Sequence, residues 1–230
     1  MPRPSACLFD LDGLLLDTEP SHARAWSEAA AQFGLQLTPE QLRQLRGRRR
    51  LDCAGQVLDW LHQAGAARLT SSELLAVRQP IAEALLVQAP SMPGAEALVR
   101  RCQALGIPMA LATSSSGDAV ALKAGPHPWL TLIETRVHGD DPQLTAGKPA
   151  PDSFLLAAER LGVDPADCWA FEDSPAGAMA AAAAGCRVHV LLPPGLSAAQ
   201  WQALYPGRWI FLQSLLGFSL DQEDCRGGVA

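Results

Sequence analysis

The 230-residue sequence predicts an α/β fold, a doubly wound and mainly parallel sheet with an all-helical segment inserted after its first strand. Three observations carry this. Short, unbroken apolar runs such as Ala6-Cys7-Leu8-Phe9 and Pro108–Ala112 read as strands buried on both faces. From Pro90 onward such runs alternate with helical periods, the pattern of a parallel sheet. Between Leu16 and Pro90 only helical periods occur.

The elements follow in order. After Ala6–Phe9 comes Asp10-Leu11-Asp12-Gly13, two acids at the carboxyl end of a strand, where open α/β sheets bind ligands, with a glycine for the turn. Asp17 or Thr18 is a candidate cap for a helix that Pro20 begins and Gly34 ends. Thr38-Pro39-Glu40-Gln41 has capping-box spacing and opens a helix stopping near Gly47. Leu51–His62 and Ser72–Val87 are further helices. Pro90–Gly94 marks the return to the sheet, followed by a helix over Ala95–Leu105 and the strand Pro108–Ala112. A short helix around Ala119–Lys123, a third strand over Leu132–Val137 and a helix over Asp152–Leu161 come next. The strand Cys168–Phe171, an alanine-rich helix from Pro175 to Ala184, and strands Arg187–Leu192 and Trp209–Leu212 complete the sheet. The tail from Asp221 is polar, glycine-rich and expected to fray. The expected division is a core of residues 1–16 and 90–230 with a helical insertion of residues 17–89.

A hydrophobic share of 48% and a charged share of 18% describe a globular chain. The net charge of −6 argues against nucleic acid as a partner, which would need a basic face. No apolar stretch is long enough to span a bilayer, and Met1-Pro2-Arg3-Pro4 lacks a leader pattern. Six scattered cysteines without a Cys-x-x-Cys pair read as reduced thiols, so a cytoplasmic protein is expected; a monomer is the default for a domain with such an insertion.

Four rim positions carry the chemistry: Asp10 with Asp12; Thr113-Ser114-Ser115; Lys148 before Pro149; and Glu172-Asp173-Ser174. Taken singly, each has a plain structural alternative. The hydroxyl run and the acidic triplet are ordinary helix starts, and a lone lysine is usually solvated. Together they supply what phosphoryl transfer needs. A carboxylate attacks phosphorus. Mg²⁺ bridges it to the phosphate it would otherwise repel, with Asp10 and Asp173 as charged ligands and Glu172 able to hold a metal-bound water. Lys148 adds a fixed positive charge. Thr113, with the hydroxyls and amides of Ser114 and Ser115, meets phosphate oxygens. Asp12, two residues on, is placed to exchange a proton with the leaving oxygen.

These motifs resemble those of the haloacid dehalogenase superfamily, in order and across essentially the whole chain: Asp10-Leu11-Asp12-Gly13 with Asp17-Thr18-Glu19, Thr113, Gly147-Lys148-Pro149 and Glu172-Asp173-Ser174. The resemblance implies a Rossmann-like core with a small helical cap, Mg²⁺ as cofactor, Asp10 as nucleophile and Asp12 as acid/base. It also implies Glu172, Asp173 and the Asp12 backbone carbonyl as metal ligands, with Thr113 and Lys148 as the remaining motif residues. The acid at position 12 favours phosphoesters over dehalogenation. Gly139-Asp140-Asp141-Pro142 and Lys123 are similar to the pseudouridine-5′-phosphatase and glycerol-phosphatase branch, whereas His22, Arg46 and Arg50 match positions of the β-phosphoglucomutase cap.

In the insertion, Arg46-Gly47-Arg48-Arg49-Arg50 is either a solvated helix end or a grip on an anionic substrate, with Arg46 and Arg50 the candidates. His22 faces the cleft or solvent; Trp26 and Trp60 read as cap core. The expected activity is hydrolysis of a small phosphorylated metabolite, a sugar phosphate or nucleotide-like monophosphate. The alternatives are a hexose phosphomutase and a non-catalytic binding protein on the same scaffold.

Overall fold

Ala6–Phe9 forms β1, with all four side chains buried, as a strand covered on both faces requires. A computed structural model describes residues 3–65, 69–193, 198–205, 207 and 209–220; the tail from Asp221 lies outside the described residues. Four helices follow β1: α1 (Glu19–Gln32), α2 (Pro39–Leu45), α3 (Arg50–Gln63) and α4 (Ser71–Leu86). The core then resumes with α5 (Ala95–Ala104), β2 (Met109–Ala112), α6 (Gly117–Ala124), β3 (Thr135–Val137) and α7 (Asp152–Leu161). It closes with β4 (Cys168–Glu172), α8 (Pro175–Ala183), β5 (Arg187–Leu191), α9 (Ala198–Leu204) and β6 (Ile210–Leu212).

The six strands pair in parallel in the order β3-β2-β1-β4-β5-β6. The chain leaves β1 for one edge and returns past it to the other, so the crevice at the carboxyl end of β1 is the ligand site of such sheets. Apolar layers cover both faces. Phe9, Leu98, Trp129 and Phe171 belong to one; Leu8, Phe154, Ala180 and Val190 belong to the other. The insertion has its own apolar cluster, including Trp26, Val57, Leu61 and Leu74, with Trp60 packed against it. Among the described residues, no helix is long and apolar enough to cross a membrane, and the five described cysteines are free and buried.

Local chemistry accounts for most boundaries. Thr38 and Gln41 make the expected capping box, and α2 ends at Leu45, two residues before Gly47. Three expectations need correction. The third strand is only Thr135–Val137, because Pro128, with its fixed φ, starts a 3₁₀ turn over Pro128–Leu132. Helix α9 is not among the expected elements, although Ser197 and Gln200 stand at capping-box spacing in the sequence. Thr18 is the N-cap of α1 by position, but its side chain caps nothing; the hydroxyl is used elsewhere, as described below.

His189 of β5 lies inside the first layer, with its ring 4.8 Å from Trp169, 4.8 Å from Phe171 and 5.5 Å from Phe218. Burial first, and then Arg187, push its pKa down to about 3. The folded protein therefore resists a proton that the unfolded chain takes up near pH 6.5. Stability from this site is intact above pH 6.5 and declines as pH falls. His189→Phe should gain about 2 kcal/mol on wild type between pH 7 and pH 5. Urea unfolding at both pH values measures this; a difference that does not change with pH contradicts it.

Candidate active site

Asp10 leaves the end of β1 with its N–H still bonded to the Phe171 carbonyl at 3.1 Å, which fixes it against β4. Gly13 turns the chain at φ +85°, and a Cβ there would collide with the Asp173 carboxylate. The turn thus requires glycine both for its left-handed backbone and for the close approach. The loop brings Asp10, Glu172 and Asp173 together: all three are buried, with one carboxylate oxygen from each lying within 4.8 Å of the others.

Lys148, 3% exposed, donates to Asp10 Oδ1 at 2.6 Å and to Glu172 Oε1 at 2.5 Å. A solvated loop lysine is thereby excluded. Glu172 Oε2 accepts from the backbone N–H of Asp173 at 3.1 Å and from the Ser174 hydroxyl at 3.1 Å. Ser174 in turn caps α8 through Gly177 N–H at 3.0 Å. Asp173 pairs with Arg46 of the insertion, which also reaches Glu19 Oε2 at 2.9 Å.

Burial pushes the carboxyl groups of Asp10, Glu19 and Asp173 up to about 7, against the pull of Lys148 on Asp10 and of Arg46 on the other two. Glu172 is raised for the same reason. The cations rise as well: Asp10 and Glu172 raise Lys148 despite its burial, and Asp173 and Glu19 raise Arg46. A cluster of hard, anionic oxygen donors in excess of its cations suits a small divalent cation such as Mg²⁺. The residues present fit that group.

Asp12 has different neighbours. Lys123 Nζ lies 2.6 Å from both its oxygens. The Ser115 hydroxyl donates at 2.8 Å and the Thr18 hydroxyl at 2.7 Å. His22 Nε2 lies 3.2 Å away. Arg78 Nη2 reaches His22 Nδ1 at 2.8 Å. Arginine only donates, so Nδ1 accepts, Nε2 carries the proton, and the imidazole donates to Asp12. Burial opposes ionisation of Asp12, but Lys123 and His22 outweigh it and hold the carboxyl well below its ordinary range. Two aspartates two residues apart are thus driven to opposite protonation behaviour by their surroundings.

The remaining sequence candidates divide. Thr113 is buried and its Oγ1 accepts from Ser115 N–H at 3.1 Å. The Ser114 hydroxyl donates to the Gly47 carbonyl at 2.8 Å, joining the sheet rim to the insertion. Arg50 is exposed and bonds Gln79 Oε1 at 3.0 Å, on the wall of a cleft of about 1210 Å³. Asp10, Asp12 and Asp173 line the cleft from the sheet; Arg46, Arg49 and Arg78 line it from the insertion. Sequence reasoning did not place Glu19, Arg78 or Lys123 at the site. Lys123 and Glu19 had a signal, as parts of the family resemblance; Arg78 had none, being one charge on a helical period.

Residues 4–185 match the family model described as haloacid dehalogenase-like hydrolase. A probable pseudouridine-5′-phosphatase of Drosophila melanogaster is 38% identical over 195 residues, covering 83% of each chain. Hexitol phosphatase A of Escherichia coli (strain K12) is 34% identical, covering 84% of this chain and 85% of its own. The solved structure of CbbY from Rhodobacter sphaeroides in complex with phosphate superimposes with a TM-score of 0.75 at 26% identity, covering 93% of this chain and 96% of that one. The chain belongs to the haloacid dehalogenase-like hydrolase family, as a phosphoric monoester hydrolase.

Proposed function

We propose that the protein is a Mg²⁺-dependent phosphatase of a small phosphorylated metabolite, a sugar phosphate or nucleotide-like monophosphate, working through an aspartyl-phosphate on Asp10. The convergence of Asp10, Glu172 and Asp173 within 4.8 Å beside Lys148 supports this reading most strongly. Asp10 and Asp173, with Glu172 behind them, would hold the metal, whose positive charge would offset the repulsion of nucleophile and phosphate.

An Asp10 oxygen attacks phosphorus, and the bond from phosphorus to the substrate's ester oxygen breaks. The leaving oxygen takes a proton from Asp12. Water then attacks the aspartyl-phosphate, gives its proton to Asp12, and inorganic phosphate departs, freeing the Asp10 carboxylate. As held by Lys123, Asp12 is ionised, the form required for this second half. Donation in the first half requires its carboxyl to carry a proton and turn toward the leaving oxygen. Lys148 offsets charge on Asp10 and the transferring oxygens, and the Thr113–Ser115 segment faces the phosphate.

The helices of residues 17–89 act as a cap. Their two connections to the core are bonded together, Asp17 N–H to the Pro90 carbonyl at 2.8 Å, so a hinge at Asp17–Glu19 and Pro90–Gly94 moves the cap as one body and shuts out water. Arg46 and Arg50 carry positive charge to the substrate from that side. Relatives named as phosphatases of pseudouridine-5′-phosphate and hexitols support a small polar alcohol as leaving group. A panel of sugar phosphates, polyol phosphates and nucleoside monophosphates with Mg²⁺ should show phosphate release that EDTA abolishes. Bisphosphate-dependent isomer conversion without phosphate release would favour the mutase instead.

A further inference from the structure

We propose that Tyr205 is a positioning residue for the metal-binding loop, an inference that rests on the reading of Asp10, Glu172 and Asp173 as metal ligands. Tyr205 follows α9, near the far edge of the sheet, in a region no motif pointed to. Its side chain is buried, 3% exposed, and its hydroxyl donates to the backbone carbonyl of Asp173 at 2.5 Å.

The position of that carbonyl gives the bond its consequence. Asp173 is the junction between β4, which ends at Glu172, and α8, which Ser174 caps. It belongs neither to the ladder nor to the helix. Clamping its carbonyl sets the peptide plane after its Cα, and with it the direction in which its carboxylate leaves the backbone. The clamp is itself rigid. Trp209 Nε1 donates to the Tyr205 carbonyl at 3.0 Å. The Tyr205 ring meets Phe211 of β6 edge-on at 6.2 Å, within the apolar layer that includes Ala178 and Ala181 of α8. A tyrosine has only two side-chain torsions to order, so Tyr205, held by Trp209 and Phe211, acts as a strut from the sheet edge to the ligand loop. Without the hydroxyl, the Asp173 carbonyl loses its donor, and the Asp173 carboxylate is less firmly aimed at the metal position. Partners behind a metal ligand typically change affinity by ten to a hundred-fold. Tyr205 acts through the backbone, so the low end, about tenfold, is expected.

The test uses the full chain, freed of metal and titrated calorimetrically with Mg²⁺. Tyr205→Phe should raise the dissociation constant about tenfold, whereas Phe211→Leu, which loosens the packing but keeps the hydroxyl, should leave it within about twofold of wild type. The chain has a single tyrosine, so ¹³Cζ-tyrosine labelling gives one NMR resonance without any variant. That resonance should shift as Mg²⁺ binds. Equal affinities for wild type and Tyr205→Phe, or an unmoved resonance at saturating Mg²⁺, would overturn the proposal while leaving the metal site standing. If Tyr205→Phe fails to fold, the wild-type resonance decides alone. Failure of wild type to bind Mg²⁺ at all would sink the metal reading and this inference with it.

Discussion

Asp10→Asn is expected to lower kcat/KM for phosphomonoesters by about 10⁴-fold or more, with little change in stability. The kinetic loss follows from chemistry. The amide is neutral and forms no aspartyl-phosphate, and removing a covalent nucleophile typically costs four to six decades. At 1.36 kcal/mol per decade this is at least about 5 kcal/mol of transition-state stabilisation. The small effect on folding follows from burial. Asp10 is pushed up to about 7 in the folded protein without metal, so its neutral form is already accessible, and asparagine is close to that form in shape and charge. Its amide oxygen can still accept from Lys148. Steady-state kinetics together with thermal unfolding in EDTA check both halves. Turnover near the wild-type rate in a folded variant would contradict the assignment of Asp10.

Lys148→Met is expected to be the most destabilising single change at the site, by about 3 to 5 kcal/mol at pH 8 without metal. Lys148 is the cation between Asp10 and Glu172, and its removal leaves two buried carboxylates without their partner. The sign of the pH dependence separates this from loss of packing. Both carboxyl groups are already raised by burial, and losing the lysine raises them further. The folded variant then binds protons more tightly than the unfolded chain, so it is destabilised as pH rises above the ordinary carboxylate range and recovers as pH falls. Urea unfolding at pH 8 and pH 5 should show a smaller deficit at pH 5. An equal deficit at both would mean that the lysine acts through the packing of its aliphatic stem and not through its charge.

Which parts were legible in the sequence, and which were not, has a physical pattern. β1, β2 and β4 are unbroken apolar runs because both faces are covered, and the polar residues at their ends therefore stood out. Asp10, Asp12, Thr113, Glu172 and Asp173 stood out for that reason, whereas Lys148, in the loop between β3 and α7, stood out only through Pro149 and the other motifs. Residues that reach the site from helices were harder to see, since a charged residue on a helical period ordinarily faces water. Lys123 in the last turn of α6 looks like a cation serving the helix dipole, yet it is buried against Asp12. Thr18 has the position of a cap but gives its hydroxyl to Asp12 at 2.7 Å; a long-range partner won over the local one. Tyr205 could not be placed at all, because its role depends on α9 and β6 folding back to a loop 32 positions earlier. Local patterns disclose strand ends well and the packing of distant segments poorly.

The account depends on a phosphoryl group passing through Asp10. The direct measurement is to mix the full-length protein and Mg²⁺ with a ³²P-labelled substrate from the panel, quench in acid within one turnover, and map the label to a peptide. It should be found on the peptide containing Asp10, be released by hydroxylamine as an acyl phosphate is, and be missing from Asp10→Asn. Rapid hydrolysis with no acid-stable label, or with label on any other residue, would contradict the account.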